Sequence, residues 1–383
     1  MCKQIAHIDL DCFFVSVERI GNRYLIGKPV VVGGSASGRG VVASASYEAR
    51  KYGVRSAMAT SRALRLCPGL IVIPGHHGEY SAISGKLYKR LLDFSPVVER
   101  ASIDEMYLDF TGCESLYGND LPGFIGKLQS IVKEEFQLPG TIALASNKLV
   151  AKIAANTVKP EGIIYVPHGT EEKFLAPLPV GVIPGVGKVT GKFLIENGFK
   201  VVADLQSVPL KKCLELFGAN GEWIHRASHG FGSTILKTDH IPKSISRERT
   251  FEHDISAIGE LEKILFKLAE NVCSTLRSES LKACTVQLKI RTSGFKTTTH
   301  RQTVESTNYD PEIYGIARQL LKNAHISGIP LRLIGLGLTN LVADGEKELE
   351  LFPISEKRER VLKVVDRLRE KFGDDTIRIG SNY

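Results

Sequence analysis

Two acidic groups stand where apolar segments of the chain end. Asp9 and Asp11 close the apolar run that begins at Ile5, and the pair Asp104 and Glu105 lies in a short turn between two apolar runs. Carboxylates at the ends of neighbouring strands can converge on a hard cation such as Mg²⁺. Two such ions about 4 Å apart can clamp the attacking and leaving oxygens of a phosphoryl transfer. Each group alone is better explained as ordinary turn chemistry, but both together suggest a metal site.

A basic helix offers a complement to such a site. Tyr47 and Arg50 are three residues apart and share one face of a predicted helix, and the hydroxyl of Ser44 stands just before it. An arginine can grip a triphosphate with two parallel hydrogen bonds. Lys159, just beyond a further predicted helix, could add a point charge. Taken singly, each of these side chains is more typical of a solvated surface.

A third pattern is the string from Ile183 to Thr190, which contains Pro184-Gly185-Val186-Gly187 followed by Lys188. Two glycines in a turn that opens a helix expose backbone N–H groups to a phosphate. The pattern is typical of a helix-hairpin-helix element, which holds the DNA backbone without reading its sequence. The alternative is a plain turn between two helices, and the Pro-Gly-x-Gly-Lys string favours the DNA-binding interpretation.

Strands and helices in alternation must position these residues. Apolar runs at Ile5–Leu10, Met106–Phe110 and Thr141–Ser146 predict strands, with helices such as Lys148–Thr157 between or after them. This alternation suggests an α/β sheet with a site on one edge. After Pro167 the chain predicts short helices broken by proline and glycine.

The remaining third of the chain predicts a separate α+β domain. Its strands include Thr285–Thr292 and Leu333–Leu338, and its helices are predicted at Ile258–Leu276 and Pro311–His325. A polar segment follows, and then a charged helix over residues 356–372, for which the sequence does not distinguish packing from DNA contact.

The bulk properties are those of a basic protein with packed cores. The 383 residues are enough for two or three domains, and residues 1–110 and 232–341 each contribute +4 to the net charge of +8. Such a charge suits nucleic acid but does not establish it as a partner. The seven cysteines include no C-x-x-C pair, which argues against structural zinc or a disulfide framework. Because we find neither a transmembrane run nor a signal segment, we expect a cytoplasmic protein with no membrane association.

Several strings resemble the Y-family DNA polymerases, in particular the bacterial DNA polymerase IV type. They occur in order between about residue 3 and residue 341, at the spacing of that family. The matching strings are HIDLDCFF from His7, ASYEARKYGV from Ala45, ASIDEMYLD from Ala101, AKIAA from Ala151, Lys159-Pro160 and PGVG from Pro184. The departures are mild, with Met106 where alanine is common and Ala145 where glycine is common.

The resemblance implies an α+β multi-domain fold arranged as a right hand. Its parts would be a palm from residues 1–18 and 77–165, small fingers from 19–76, a helical thumb with the helix-hairpin-helix from 166–231, a linker at 232–242, an α+β little finger at 243–341, and a tail at 342–383.

The resemblance also assigns roles to single residues. The catalytic carboxylates would be Asp9, Asp104 and Glu105, which with the Leu10 carbonyl would bind two Mg²⁺ ions. The contacts to the incoming dNTP would be Phe13, Phe14, Ser44, Tyr47, Arg50 and Lys159. The ring of Phe14 would be a steric gate that excludes a sugar 2′-hydroxyl. The roof of the nascent base pair would be Val41, Ala43 and Met58, which are small or flexible and fit low fidelity. The DNA contacts would be Gly185, Gly187, Lys188, Arg247, Arg249 and Arg332.

The activity implied is template-directed, low-fidelity translesion DNA synthesis, with dNTP and primer-template DNA as substrates and a monomeric enzyme. Two alternatives remain open at this point: a palm-type nucleotidyl cyclase, which shares the carboxylates, and a non-catalytic DNA-repair accessory protein. In the tail, residues 348–352 resemble a peptide that docks on the bacterial sliding clamp, with Leu351 and Phe352 as apolar anchors. Glu348 departs from the usual glutamine, and a contact between the tail and the body is an equal alternative.

Overall fold

The computed structural model describes residues 2–238, 241–324, 328–344, 354–373 and 376–377, without the side chains at 354–360, 363 and 370. The chain divides into two units, Met1–His240 and Ile241–Tyr383, and the division falls inside the segment predicted as a linker. Leu351 and Phe352, the anchors of the expected clamp peptide, lie outside the described residues. In the described part of the chain, no helix has the length and apolar character needed to cross a membrane.

The first unit is built from two sheets and a series of helices. Within residues 2–238 the strands are β1 (Ile5–Leu10), β2 (Val30–Gly33), β3 (Val42–Ala45), β4 (Ile71–Ile73), β5 (Val97–Arg100), β6 (Glu105–Asp109), β7 (Gly140–Ala145) and β8 (Ile163–Tyr165). In the same residues the α-helices are α1 (Phe13–Gly21), α2 (Tyr47–Lys51), α3 (Thr60–Leu66), α4 (His77–Leu91), α5 (Leu121–Phe136), α6 (Lys148–Thr157), α7 (Glu171–Leu175), α8 (Lys188–Glu196), α9 (Val202–Gln206), α10 (Leu210–Phe217) and α11 (Gly221–Ser228).

The larger sheet has the strand order β5-β6-β1-β7-β8. The central strand β1 runs antiparallel to both of its neighbours, and the β7–β8 pair is parallel. The alternation of strands and helices suggested an α/β sheet, but the antiparallel centre makes the sheet α+β, as the resemblance implies. The acidic turn joins β5 and β6 as a hairpin, so this pair is antiparallel as well.

The two faces of this sheet are covered by different helices. Ala6, Ile8 and Leu10 of β1 belong to the core that α1, α4 and α5 complete. Because side chains alternate along a strand, His7 and Asp9 point to the opposite face, which α6 covers. Helix α6 begins at this position because the side chain of Asn147 accepts a 3.0 Å hydrogen bond from the N–H of Val150.

A smaller sheet of order β3-β2-β4 carries α2 and α3 and has its own core. Helix α2 starts at Tyr47 because Ser46 caps it, accepting a 3.2 Å hydrogen bond from the N–H of Ala49. Helices α7 to α11 are short, as the prolines and glycines predicted, and their apolar residues share a core with α6.

Residues 232–238 contain no helix or strand, yet they are held against the larger sheet. The N–H of Lys148 donates to the carbonyl of Ser233 at 3.0 Å, and the N–H of Lys237 donates to the Glu99 carboxylate at 2.8 Å. Gly232 is required at the start, since a Cβ there would lie 2.5 Å from the Cβ of Leu149. The first half of the predicted linker is therefore fixed to the first unit.

The second unit is an antiparallel sheet with helices on one face, and so has the α+β character that the sequence predicted. Its described elements are β9 (Ser244–Ile255), α12 (Ile258–Ser278), β10 (Leu281–Thr292), β11 (Thr297–Thr307), α13 (Asp310–Ala324), β12 (Leu331–Ala343) and α14 (Ile354–Phe372). The strand order is β11-β10-β12-β9, and apolar residues of the sheet form one core with α12 and α13.

Helix α14, the charged helix that the sequence predicted near residues 356–372, packs against this unit. Arg277 of α12 donates two hydrogen bonds, of 2.6 and 2.9 Å, to the carboxylate of Asp366. Arg369 pairs with Glu270, and Leu362 is buried. The sequence did not distinguish packing of this helix from DNA contact, and for Arg369 the structure shows packing.

Candidate active site

The two acidic groups meet at one end of the larger sheet. Asp9 of β1 and Glu105 of β6 are direct cross-strand partners, so their side chains leave the same face. One residue further along, the N–H of Leu10 donates a 3.0 Å backbone hydrogen bond to the carbonyl of Asp104. Pairing between β1 and β6 therefore brings Asp9, Leu10, Asp104 and Glu105 together, although about 95 residues separate the two groups in the chain.

Asp9 and Glu105 are each paired with a lysine. The ammonium of Lys159 lies 2.5 Å from Asp9 Oδ1, and Lys152 of α6 pairs with Glu105 Oε2. Burial raises the pKa of Asp9 above its usual value, and the charge of Lys159 only partly opposes this. The ionised Asp9 carboxylate thus lacks the solvation that water would give it.

His7 lies beneath Glu105 and is completely buried. Its Nε2 is 3.6 Å from Glu105 Oε2, which is just too far for a hydrogen bond, and neither ring nitrogen has a hydrogen-bond partner. The imidazole is the largest influence that lowers the pKa of Glu105 to about 2, with Lys152 acting in the same direction and burial against both. Glu105 therefore stays ionised over the whole physiological range.

Asp104 bonds to a hydroxyl of its own turn, whereas Asp9 and Glu105 pair with lysines. Its Oδ1 accepts a 2.5 Å hydrogen bond from the hydroxyl of Ser102 in the same turn. Accordingly, no three acidic, histidine or cysteine side chains among the described residues are already arranged as a metal cage.

The donor chemistry nevertheless fits Mg²⁺. Three carboxylates and a backbone carbonyl are the hard oxygen ligands that this ion prefers, and Lys159 and Lys152 already place positive charge against Asp9 and Glu105. The hydrogen bond from Ser102 to Asp104 is exposed and occupies only Oδ1, so it is a small obstacle to cation binding by Asp104.

Asp11 has a different role from its neighbours. Its carboxylate accepts hydrogen bonds from the Tyr47 hydroxyl at 2.7 Å, from the Thr141 hydroxyl at 2.8 Å and from the N–H of Glu161 at 2.9 Å. With three donors satisfied, Asp11 joins the two sheets of the first unit and has no need of a cation.

Tyr47 and Arg50 share a face of α2, as predicted, with the guanidinium 4.7 Å from the centre of the Tyr47 ring. Arg50 Nε donates to the carbonyl of Ala45 at 3.0 Å. The Tyr47 hydroxyl is donated to Asp11, so it would have to turn before it could donate to a phosphate. Ser44, which lies in β3 just before α2, is mostly buried.

Phe13 and Phe14 begin α1, directly after the turn that leaves β1. Cys12 makes this turn with a left-handed φ of 48°. Phe13 is buried in the core, whereas Phe14 is only partly covered and lies against the rings of Tyr80 and His77. The structure thus leaves Phe14, and not Phe13, partly accessible.

The residues expected over the base pair differ in accessibility. Val41 and Ala43 are exposed on one face of the smaller sheet, because the alternating residue Val42 takes the core position. Met58 is only partly exposed and packs against the core of that sheet.

The predicted hairpin is a turn that requires glycine. Gly185 has a φ of +94°, and Gly187 immediately precedes α8, whose first residue, Lys188, is exposed. Trp223 Nε1 donates a 2.8 Å hydrogen bond to the carbonyl of Pro184 and so fixes the turn. The sequence did not indicate Trp223, although it is the only tryptophan of the chain.

The three arginines expected to contact DNA lie on two neighbouring strands, β9 and β12. Arg247 and Arg249 are exposed on β9, where their cross-strand partners are the core residues Leu336 and Ile334 of β12. Arg247 also donates a 3.4 Å hydrogen bond to Thr275 of α12. Both arginines therefore lie on the face of the sheet that the helices cover, at its edge strand. Arg332 stacks on the exposed ring of Phe295, 4.5 Å from its centre.

Sequence reasoning missed His7, Lys152 and Tyr80 as neighbours of the site. His7 and Lys152 lie inside strings that had drawn attention for other residues, and a basic residue on the face of α6 toward β1 could have been sought. Nothing in the local pattern of Tyr80 indicates that it stacks on Phe14.

Comparison with known proteins agrees with the geometry. Residues 8–156 match the impB/mucB/samB family model, and residues 242–351 match the model of the C-terminal domain of that family. The chain is 37% identical over 383 residues to a DNA polymerase IV of Dehalococcoides mccartyi, covering all of this chain and 98% of the relative. It is 36% identical to the DNA polymerase IV of Caulobacter vibrioides, covering 96% of this chain and 91% of the relative.

One solved structure shows a related fold. The chain superimposes on a Y-family DNA polymerase chimera with a TM-score of 0.80 and 24% sequence identity, over 89% of this chain and 99% of the other. At this identity the likeness concerns the fold.

Proposed function

Because the chain belongs to the Y family of DNA polymerases, in its DNA polymerase IV group, we propose that it extends a primer on a DNA template with low fidelity, including across damaged bases. The observation that carries this proposal is the cross-strand pairing of Asp9 with Glu105, next to Asp104 and beside Lys159. This arrangement places the acidic residues next to a positive charge that can bind a triphosphate.

In this reaction the primer 3′-oxygen attacks the α-phosphorus of the dNTP. The bond from that phosphorus to the bridging oxygen breaks, and pyrophosphate leaves with the electron pair. The chemistry that two Mg²⁺ ions supply is activation of the 3′-hydroxyl and neutralisation of the departing pyrophosphate. Asp9, Asp104, Glu105 and the carbonyl of Leu10 would hold these ions.

The residues around the acidic group would orient the triphosphate. Arg50, stacked on Tyr47, can present its terminal N–H groups to phosphate oxygens. Lys159, which contacts Asp9 here, would exchange this contact for a phosphate oxygen of the bound triphosphate. Ser44 and Tyr47 would donate hydroxyl protons, and Tyr47 would do so by turning from Asp11.

Sugar and base would be selected on different surfaces. The partly covered ring of Phe14, against the buried Phe13, would exclude a 2′-hydroxyl by shape. The exposed Val41 and Ala43, with the flexible Met58, would contact the nascent base pair loosely, which supports low fidelity.

The parts of the proposed right hand are those that the resemblance implies. Residues 1–18 and 77–165 would form the palm, 19–76 the fingers, 166–231 the thumb and 243–341 the little finger. DNA phosphates would bind the hairpin N–H groups around Gly185 and Gly187, with Lys188 beside them, and the little-finger arginines Arg247, Arg249 and Arg332. Binding of this kind falls steeply with salt and depends little on sequence.

The proposed partners are primer-template DNA, dNTP and a bacterial sliding clamp, with a monomeric enzyme acting in the cytoplasm. Leu351 and Phe352 would be the clamp anchors. Deletion of both residues should abolish stimulation of synthesis by the clamp and leave synthesis without the clamp intact; full stimulation after the deletion would refute the docking proposal.

The alternatives considered for the sequence are not favoured. A palm-type nucleotidyl cyclase has no need of the thumb hairpin or of the second unit, which matches the C-terminal model of the family. A non-catalytic accessory protein has no need of paired acidic groups, and all three carboxylates are present here.

The test is Asp104→Ala in a primer-extension assay with dNTP and Mg²⁺, together with DNA binding measured by fluorescence anisotropy. We expect extension to be lost and DNA binding retained. Asp93→Ala, which removes an exposed carboxylate of an unrelated ion pair, is the matched control. Equal extension by Asp104→Ala and wild type would refute the proposed site.

A further inference from the structure

The ring of Phe14 is one member of an aromatic stack between α1 and α4. Phe14 and Tyr80 lie nearly parallel, with ring centres 4.5 Å apart and an angle of 15° between the planes. His77 meets the Phe14 ring edge-on at 5.7 Å. Tyr80 is fully buried and covers one face of the Phe14 ring. A ligand can therefore meet only the opposite face of that ring.

A hydrogen bond returns from this stack to α1. The Tyr80 hydroxyl donates to Glu18 Oε1 at 2.5 Å, and Nδ1 of His76 lies 2.8 Å from the same oxygen. Glu18 is four residues after Phe14 and therefore stands on the same face of α1. The contacts form a closed ring, in which Phe14 stacks on Tyr80 and Tyr80 is fastened to the helix that carries Phe14.

This closed arrangement determines how far Phe14 can move. A ring on a helix can change its χ1 and χ2 angles, and an aromatic stack alone opposes such motion only weakly. The bond between Tyr80 and Glu18 prevents the supporting ring from sliding sideways, and Glu18 has little exposure to solvent that could compete for it. Burial, together with this hydrogen bond, raises the pKa of Tyr80 to about 12, so the phenol keeps the proton that it donates.

We propose that Tyr80 and Glu18 are positioning residues that set the height of the Phe14 ring and thereby determine how strongly the enzyme discriminates against ribonucleotides. The proposal rests on the proposed function, in which Phe14 is the sugar gate. A gate selects by shape only if its ring cannot retreat from a 2′-hydroxyl. The Tyr80–Glu18 bond supplies the resistance to that retreat.

The test measures kcat/KM for insertion of dCTP and of CTP opposite template guanine by the full-length enzyme. Tyr80→Phe keeps the stack and removes only the hydroxyl. We expect the ratio of the dCTP to the CTP value to fall about fivefold, which corresponds to the loss of one hydrogen bond. Glu18→Ala should lower the ratio to a similar extent, and Glu18→Gln, which keeps an acceptor oxygen, should restore most of it.

Tyr88→Phe is the matched control, since Tyr88 lies two turns further along α4 and is not part of the stack. It should keep the wild-type ratio. Thermal melting of each variant identifies any that fail to fold, and the isosteric Tyr80→Phe is the variant on which the decision rests.

Two outcomes would overturn the proposal. The first is a folded Tyr80→Phe in which neither kcat/KM value differs from that of the wild type. The second is a proportional fall of both kcat/KM values, which indicates only a structural role. Phe14→Ala separates these outcomes from a failure of the proposed function: if the wild type does not extend the primer, or if Phe14→Ala discriminates as well as wild type, the gate itself is wrong.

Discussion

The Tyr47 hydroxyl donates a 2.7 Å hydrogen bond to Asp11 Oδ1, and this bond joins the smaller sheet to the larger one. Asp11 is two residues from Asp9 and has the same side chain, yet the two carboxylates have opposite environments. Asp11 has three hydrogen-bond donors, whereas Asp9 has one lysine and an unfavourable burial. The contrast separates a structural carboxylate from one that is suited to a cation.

The first prediction concerns stability. Asp11→Ala leaves three donors without an acceptor, of which one is buried and two are partly buried, and we expect it to lower the free energy of unfolding by about 3 kcal/mol. Asp104→Ala removes a carboxylate bonded only within its own turn, and we expect a change below about 1 kcal/mol. Denaturation with urea measures both. Equal losses of stability in the two variants would contradict the separation of roles.

The second prediction concerns the cost of Asp9. A carboxyl group whose pKa is raised in the folded state stabilises the fold below its unfolded pKa, near 3.8, and that contribution is lost as the pH rises through the folded value. At neutral pH the ionised Asp9 therefore opposes folding. We expect Asp9→Asn to abolish primer extension and yet to melt at a higher temperature than wild type in EDTA at pH 7.5. A lower melting temperature would show that the contact with Lys159 outweighs burial.

The third prediction concerns the hairpin. Trp223→Phe removes the hydrogen bond to Pro184, and we expect the affinity for primer-template DNA to fall about fivefold because the turn loosens. Since Trp223 is the only tryptophan, its emission in the wild type should change on addition of DNA, with a midpoint that rises steeply with salt. The KM for dNTP at saturating DNA should stay the same. An unchanged DNA affinity would remove Trp223 from the DNA-binding element.

The fourth prediction concerns pH. The hydrogen bond and charge of Glu18 raise the pKa of His76 above its usual value near 6.5. The resulting stabilisation is fully present below 6.5 and is lost as the pH rises through the raised value. We expect His76→Gln to lower the melting temperature more at pH 6 than at pH 9, where wild-type His76 is neutral. The same difference at both pH values would mean that the His76–Glu18 contact does not depend on charge.

The amino-acid sequence by itself was sufficient for much of this description. The order of strands and helices, the α+β second unit and the glycine turn near Gly185 followed from apolar periodicity and from the conformational needs of glycine, which are local properties. The acidic groups at Asp9 and Asp104 were visible for the same reason, since each ends an apolar run. Together they suggested a metal site, and the resemblance to a family indicated the reaction of that site and the role of each residue.

Tertiary structure decided the relations that join distant segments. The antiparallel register that pairs Asp9 with Glu105 joins β1 to β6, two strands that are far apart in the chain, and a count of strands and helices does not reveal it. The pairing of Lys152 with Glu105 and the stack of Tyr80 on Phe14 arise from packing of α6 and α4 on the two faces of the sheet. Periodicity shows that a side chain is buried or shares a face, but a specific partner becomes known only when the chain brings both residues together.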